Sequence, residues 1–336
     1  MKHNRLRTLR STVVAVGATA VLLAVSACGG DGGGNGAGGG GGETTDTLSI
    51  SATGVDSLPF MAMLQAGVDK GWFEEAGLNV SMYSGGGGGN TLRVVTSGDA
   101  DMAIAGNSSV LLAAQQPDSN LTIVAPWFQV NDFHWIAPPG RSLDGATLGF
   151  SSAGSSTELL VKGLEEELGV SSQAVGGMGD NWTAAKAGEI TAGWAMQPFV
   201  AEKQAEEDAE ILVSARGVVG DVPADLVAVN TDYLEANPEN VRTFFEVAQR
   251  IMDWIIEDPK AAAQDIGPLI GVDPEIVAQG FEGTPELEKA YSLDVDPEAL
   301  NNLSDLMQKA GQISEPVDWG TVLDQQYLPE GVRAKF

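Results

Sequence analysis

The chain has 336 residues, carries 46 Asp and Glu against 18 Lys and Arg for a formal net charge of −28, and contains one cysteine. Charge of that sign excludes nucleic acid and an anionic membrane surface as binding partners, and a lone cysteine excludes a disulfide framework. The length is sufficient for two lobes, each with its own core.

The first predicted element is an export signal over residues 1–27. Lys2, Arg5, Arg7 and Arg10 precede an apolar run from Val13 to Val25, which ends in Val25-Ser26-Ala27-Cys28. A basic start, a short apolar stretch and small residues before a cleavage point define such a signal, and the cysteine matches the lipobox pattern, which makes Cys28 the expected lipidation site. The run is shorter than the ~20 residues that a bilayer-spanning helix needs. Residues 28–45 are almost all glycine after the cysteine and read as a flexible tether with a reach on the order of 20 Å. Loss of residues 1–27 leaves 14 basic residues against 46 acidic, a formal charge of −32. The expected location is the outer face of the cytoplasmic membrane, with the body held there by the lipid.

From residue 46 the pattern becomes strand–helix alternation. Thr47–Thr53 reads as a strand. Asp56-Ser57-Leu58-Pro59 opens a helix with Phe60, Met63, Leu64 and Val68 at helical spacing, and Gly71 ends it. Leu78–Tyr83 is a strand, Ser84–Gly89 a glycine loop, and Asn90 the expected cap of a helix through Ser97. Met102–Ala105 and Leu121–Phe128 are strands flanking a helix that starts at Gly106-Asn107-Ser108. Pro138-Pro139-Gly140 marks a boundary. A second series follows: a strand at Thr147–Phe150, a loop at Ser151–Ser156, a helix over Ser156–Leu168, and strands at Ala174–Met178, Thr191–Met196, Glu210–Ser214 and Asp225–Asn230. The remainder is helical, with Asn237-Pro238, Asp273-Pro274 and Asp296-Pro297 as cap-plus-proline starts. This is the α/β class with mainly parallel sheets flanked by helices.

Small residues follow each strand end, so helix N-termini with free N–H groups face the carboxyl ends of the strands, where open α/β sheets bind ligands. The expected ligand-binding residues there are Ser57, Leu58, Gly88, Gly89, Asn90, Asn107, Ser108, Ser152, Ser155 and Ser156. Trp127, Phe128, Trp182 and Trp194 are expected to stack on a planar ligand, and Asp180 to accept from a ring N–H. Trp72 and Trp254 read as core. Arg93, His134 and Arg141 lie near these loops; His134 reads as structural. The five glycines at 85–89 are not a nucleotide loop, because no Lys-Ser/Thr follows. There is no His/Cys/carboxylate cluster at metal spacing, so neither a cofactor nor a metal is expected, and no catalytic residue is assigned.

Five stretches in order resemble the nitrate/sulfonate/taurine-type substrate-binding proteins of ABC importers, a family that also includes binders of thiamine-pyrimidine precursors. They are Leu58-Pro59-Phe60 with Lys70-Gly71-Trp72-Phe73-Glu74-Glu75-Ala76-Gly77-Leu78-Asn79-Val80; Ser97-Gly98-Asp99-Ala100-Asp101; Leu143-Asp144-Gly145-Ala146-Thr147 with Gly154-Ser155-Ser156; Ala187-Gly188-Glu189-Ile190-Thr191 with Gln197-Pro198-Phe199; and Asn237-Pro238-Glu239 with Asp253-Trp254 and Asp258-Pro259. Ala146 replaces the family's Lys, and Thr191 its acidic residue. The resemblance implies a two-lobed clamp of the periplasmic-binding-protein type. Lobe I would be 46–137 plus 228–336 and lobe II 138–227, joined by a two-segment hinge near Pro138–Arg141 and Val222–Asp225. It further implies a monomer that captures a small-molecule solute, first an aromatic or heteroaromatic one, then a sulfonate, and passes it to an ABC permease with its cytoplasmic ATPase. The alternatives are a binding module that feeds a membrane sensor and an enzyme on the same fold, such as a thiamine-pyrimidine synthase.

Overall fold

The computed structural model describes residues 46–336; the predicted signal, Cys28 and the glycine tether lie outside the described residues. The described chain begins with β1 (Asp46–Ala52), α1 (Pro59–Asp69), α2 (Trp72–Glu75), β2 (Leu78–Ser84), α3 (Gly88–Thr96), β3 (Met102–Gly106), α4 (Asn107–Ala114) and β4 (Leu121–Trp127). It continues through β5 (His134–Ala137), β6 (Thr147–Phe150), α5 (Ser156–Leu168), β7 (Ser171–Ala174), α6 (Met178–Ala187), β8 (Gly193–Ala195), α7 (Phe199–Glu207), β9 (Glu210–Ser214) and α8 (Ala215–Val219). It ends with β10 (Asp225–Asn230), α9 (Thr231–Ala236), α10 (Pro238–Glu257), α11 (Pro259–Ile270), α12 (Pro274–Gly283), α13 (Leu287–Ala290), α14 (Pro297–Lys309) and α15 (Trp319–Val322). Among the described residues, no helix is long and apolar enough to cross a membrane.

The strands form two sheets of the same design. The first has the order β2-β1-β3-β10-β4; β1 runs parallel to β2 and β3, while β10 is antiparallel to both β3 and β4. In the second, β6 pairs parallel with β7, and β5 lies antiparallel between β8 and β9. The two parts of the second sheet meet at a parallel bridge between Leu148 and Ala192, where the Gly149 amide donates to the Ala192 carbonyl at 2.8 Å. In each sheet four strands therefore point one way, and the fifth, which enters from the other half, points back. Strands buried on both faces need near-continuous apolar runs, which β10 (Asp-Leu-Val-Ala-Val-Asn) and β4 (Leu-Thr-Ile-Val-Ala-Pro-Trp) supply.

At Asp273 and Asp296 the helix starts follow the chemistry read from the sequence, and Asp258 uses the same chemistry. Asp258, Asp273 and Asp296 each accept a hydrogen bond from a first-turn amide, with proline in the first turn. On α10, Val241, Phe244, Phe245, Ala248, Met252 and Ile255 are buried, and the helix packs over α1, α2, β1 and β2. Asp101 explains part of the Ser-Gly-Asp-Ala-Asp stretch: one of its carboxylate oxygens accepts from both the amide and the hydroxyl of Ser49, at 2.8 and 2.6 Å, and so ties β1 to the start of β3.

The structure corrects several expectations. Asn90 is not a cap, because α3 begins two residues earlier, after Gly87, whose φ of 144° suits glycine alone. The strand expected at Ala174–Met178 ends at Ala174, and Met178 opens α6, so Trp182 lies inside a helix. Asn237 does not cap α10 through its side chain, which instead donates to the Tyr233 carbonyl. The first crossing between the sheets is residues 128–133 rather than Pro138–Arg141, since His134–Ala137 is already strand β5 of the second sheet. A run of four residues between two loops, one of them a histidine, is too short to announce such a strand. The C-terminal helices also reach both sheets: α12 packs on α7, and α14 on α4 and α5.

Replacing Asp101 with Ala removes the acceptor of a half-buried strand amide, and we expect a loss of about 1–3 kcal/mol. Urea unfolding of the variant should show a lower midpoint; an unchanged midpoint would mean that Asp101 is dispensable for holding the two strands together.

Candidate functional site

Between the two sheets lies a cleft of about 470 Å³, lined by the turns that join strand ends to helix starts. From the first sheet come Ser57, Leu58 and Phe60 at the start of α1, Ser84 and Gly86–Gly88 at the start of α3, Gly106 and Ser109 around the start of α4, and Asp225 at the start of β10. The second sheet contributes Ser151, Ser152 and Ser155–Thr157 before and within α5, Gly176–Met178 before α6, and Trp194 and Met196 around β8. Phe133 and Ala224 come from the two crossings. Backbone direction accounts for this arrangement: right-handed strand–helix connections put every helix N-terminus at the carboxyl end of its strand. Neither α3 nor α6 has a side-chain cap, so their first amides stay open towards the cleft.

Of the residues expected from sequence, Ser57, Leu58, Gly88, Ser152, Ser155, Ser156 and Trp194 line the cleft. The others go elsewhere. Gly89 and Asn90 are exposed on α3, and Asn90 faces a separate depression with Tyr83 and Arg93. Asp180 is exposed on the first turn of α6. Trp127 is fully buried and its indole N–H donates to the Phe60 carbonyl at 3.0 Å. Phe128 is buried too; its ring stacks on Phe60 at 4.2 Å, and its φ of 52° turns the chain out of β4. Trp182 is buried, with its N–H on the Glu207 carboxylate at 2.9 Å. Strand-end position alone does not tell a ring aimed at the core from one aimed at the cleft, and for these three the core won.

Asn107 and Ser108 are wholly buried under the cleft rather than in its wall. The Asn107 amide group donates to the Pro223 carbonyl at 2.7 Å, and its oxygen accepts from the Ser156 hydroxyl at 2.9 Å. One side chain thus joins α4, the second crossing and the start of α5. Gly106 makes that approach possible, since a Cβ there would sit 2.6 Å from the Ser156 hydroxyl. Below it the crossings bond to each other: the Ala224 amide donates to the Phe128 carbonyl at 2.9 Å, and Asn131 donates to Asp221 and to the Gly220 carbonyl. Asp221 also takes Arg216 at 2.8 Å and Lys289 at 3.0 Å. Burial would raise the Asp221 carboxyl, but hydrogen bonds from Arg216 and Lys289 hold it below the usual range.

The sequence reading missed Phe60, Phe133, Met178, Met196 and Asp225. Asp225 had a visible signal, an acidic residue leading an all-apolar strand. It is buried and lines the cleft, and its side chain makes no hydrogen bond or ion pair among the described residues. Burial alone raises its carboxyl to about 7. His134 lies outside the cleft lining, with its ring Nε2 3.0 Å from the Asp132 carboxylate; burial raises the Asp132 carboxyl as well. Among the described residues, no Lys, Arg, His or Cys lines the cleft.

Because Asp225 has a higher pKa folded than the roughly 3.9 of an unfolded chain, the folded state keeps a proton that unfolding releases. Its contribution to stability is therefore full below about pH 4, falls as pH rises, and is gone above about 7. The swing is at most about 4 kcal/mol. Denaturant titrations from pH 4 to 8 should show Asp225→Asn gaining stability relative to the parent chain as pH rises; parallel profiles would contradict a buried, unpaired carboxyl.

This geometry has known counterparts. A solved ligand-binding component of an ABC-type import system from Staphylococcus aureus, with zinc bound, superposes with a TM-score of 0.68 at 14% identity, over 86% of this chain and 100% of that one. The periplasmic aliphatic sulphonate binding protein SsuA of Escherichia coli gives 0.66 at 14% identity, over 87% and 96%. The desulfurization enzyme DszB gives 0.61 at 14%, over 84% and 97%. These likenesses establish the periplasmic-binding-protein fold. In sequence, a Bacillus subtilis (strain 168) protein described as a binding protein, YtlA, is 22% identical across 95% of this chain and 97% of its own. The family model described as NMT1/THI5 like matches residues 59–262. That match spans more than half of the chain, and the chain belongs to the NMT1/THI5-like family.

Proposed function

We propose that this protein is the solute-binding component of an ABC import system and that it holds a small organic molecule in the cleft without changing it. The observation that carries this reading is the cleft itself: about 470 Å³, walled from both sheets by glycine and serine turns, aromatic rings and open helix N-termini. Clefts of 300–1,000 Å³ with apolar walls and a few polar groups are the usual form of small-molecule sites. Relatives described as binding proteins support it. An enzyme also shares the fold, but among the described residues the cleft has no thiol, imidazole or amine to act as nucleophile or base.

In this reading the lobes are the two sheets with their helices, the crossings at 128–133 and 215–224 form the hinge, and closure on the solute marks the loaded state for a permease with its ATPase. The solute lies among Ser57, Leu58, Gly88, Ser152, Ser155, Ser156 and Trp194, with Phe60 and Phe133 completing the apolar wall. Lipid on Cys28, with residues 28–45 as tether, keeps the body at the outer face of the membrane as a monomer.

Solute at 100 times its dissociation constant should stabilise the protein by about 2.7 kcal/mol. A thermal-shift screen over aromatic, heteroaromatic and sulfonate compounds reads this, and a melting temperature indifferent to every class would remove the importer reading. Trp194→Ala should weaken the bound solute by about 0.5–1.5 kcal/mol, the worth of an aromatic contact. Trp127→Ala should instead cost about 3–5 kcal/mol of folding stability, as a buried indole does. Equal effects of the two substitutions on binding and on folding would contradict the separation of cleft from core. For the anchor, Cys28→Ser should shift the protein from the membrane fraction to the medium or leave the signal uncleaved; an unchanged membrane fraction would refute lipidation.

A further inference from the structure

The cleft's charge is one-sided. Among the described residues, two carboxyl groups line it, Asp56 on the exposed loop before α1 and the buried Asp225, and no cationic side chain does. The helix N-termini favour acceptor-rich groups, but the topology puts them there whatever the ligand, so the side chains carry the discrimination. Three aromatic rings, Phe60, Phe133 and Trp194, line the same space, with Phe133 and Trp194 at 6.2 Å from each other. Carboxylate and aromatic faces both attract cations. We propose that the solute carries a positively charged nitrogen, seated against the Asp225 carboxylate and the aromatic wall, and that Asp225 is the residue which selects it. This rests on the importer reading above and deepens it.

Asp225 stands at the amino end of β10, between Gly106 of β3 and Trp127 of β4, at the floor of the cleft. The elements packed around β10 leave it alone. β3, β4 and α4 have no titratable residue, Arg93 of α3 is exposed beside a different depression, and Asp232, Tyr233 and Glu235 belong to α9 at the other end of the strand. Among the described residues, the second-sheet wall of the cleft bears no charged side chain, and Asp56, on the same side as Asp225, is the other charged lining residue. An unpaired buried carboxyl is costly unless something satisfies it, and the open side of this one is the ligand space. A cationic nitrogen supplies both charge and N–H donors; a sulfonate or carboxylate would meet repulsion unless it too carried such a nitrogen. The protein's net charge of −28 draws cations towards the cleft from a distance.

The test uses pairs of compounds that differ only in the nitrogen: phenethylamine with 2-phenylethanol, and taurine with ethanesulfonate. Isothermal titration of the purified protein should show the amine of at least one pair binding about tenfold or more tighter than its nitrogen-free partner, as expected for a charge-assisted hydrogen bond in a desolvated site. Amine affinity should weaken as pH falls below about 7, because the amine must then displace the proton on Asp225. Asp225→Asn, checked for folding by circular dichroism, should erase both the preference and the pH dependence. The proposal is overturned if nitrogen-free compounds bind as tightly as the amines, if Asp225→Asn keeps the preference, or if no amine binds at millimolar concentration. Tight binding of a nitrogen-free solute would sink this inference and leave the importer reading standing, whereas failure of every class of solute to bind would sink both.

Discussion

Each sheet is completed by a strand that arrives from the other. β10 inserts antiparallel between β3 and β4, and β5 between β8 and β9. These backbone ladders fix the two crossings side by side and oblige the carboxyl ends of both sheets to face one another. Without the exchange there would be two separate α/β layers and no shared cleft. With it, every turn that leaves a strand for a helix points at the same volume. The position of Asp225 follows from the same exchange, since the first residue of the reversed β10 falls where its neighbours β3 and β4 end.

Beneath the cleft, polar groups link the halves alongside one apolar cluster that runs through both, from Leu48 and Ile104 to Trp135, Leu148 and Leu160. Asn107 binds Pro223 and Ser156, Asn131 reaches Asp221, and Asp221 gathers Arg216 and Lys289. The C-terminal helices add a second constraint. α10 and α11 lie on the first sheet's helices, whereas α12 and α14 reach α7 and α5 of the second. Lys289, in α13, bridges Asp221 of the crossing and Asp296. The tail thereby braces the crossings from outside and is not merely an extension of one lobe.

Much of the fold was legible as local pattern. Strand–helix alternation, the cap-plus-proline starts at Asp273 and Asp296, and the α10 stripe are all set by contacts within a few residues, and these agree with the structure. The turn residues Ser57, Leu58, Gly88, Ser152, Ser155 and Ser156 were legible for the same reason, because a small residue after a strand marks the point where the backbone turns into a helix. The tryptophans were not. Trp127 and Trp194 both belong to strands, yet one indole is sealed against Phe60 and the other opens on the cleft. Strand pleat, sheet twist and the helix above decide that difference. Asn107 misled in the opposite direction, because an amide suited to a ligand was needed to join three backbone segments.

The sequence by itself determined the α/β class, the order of most elements, the helix starts and the family, because propensity, capping and motif spacing are short-range and written in neighbouring residues. Tertiary structure alone decided that His134–Ala137 is a strand of the second sheet, that the crossing precedes it, that the C-terminal helices span both halves, and that a carboxyl at position 225 faces the cleft unpaired. Each of those depends on pairing between residues far apart in the chain, and on which charges burial leaves without a partner. No window along the sequence contains either quantity.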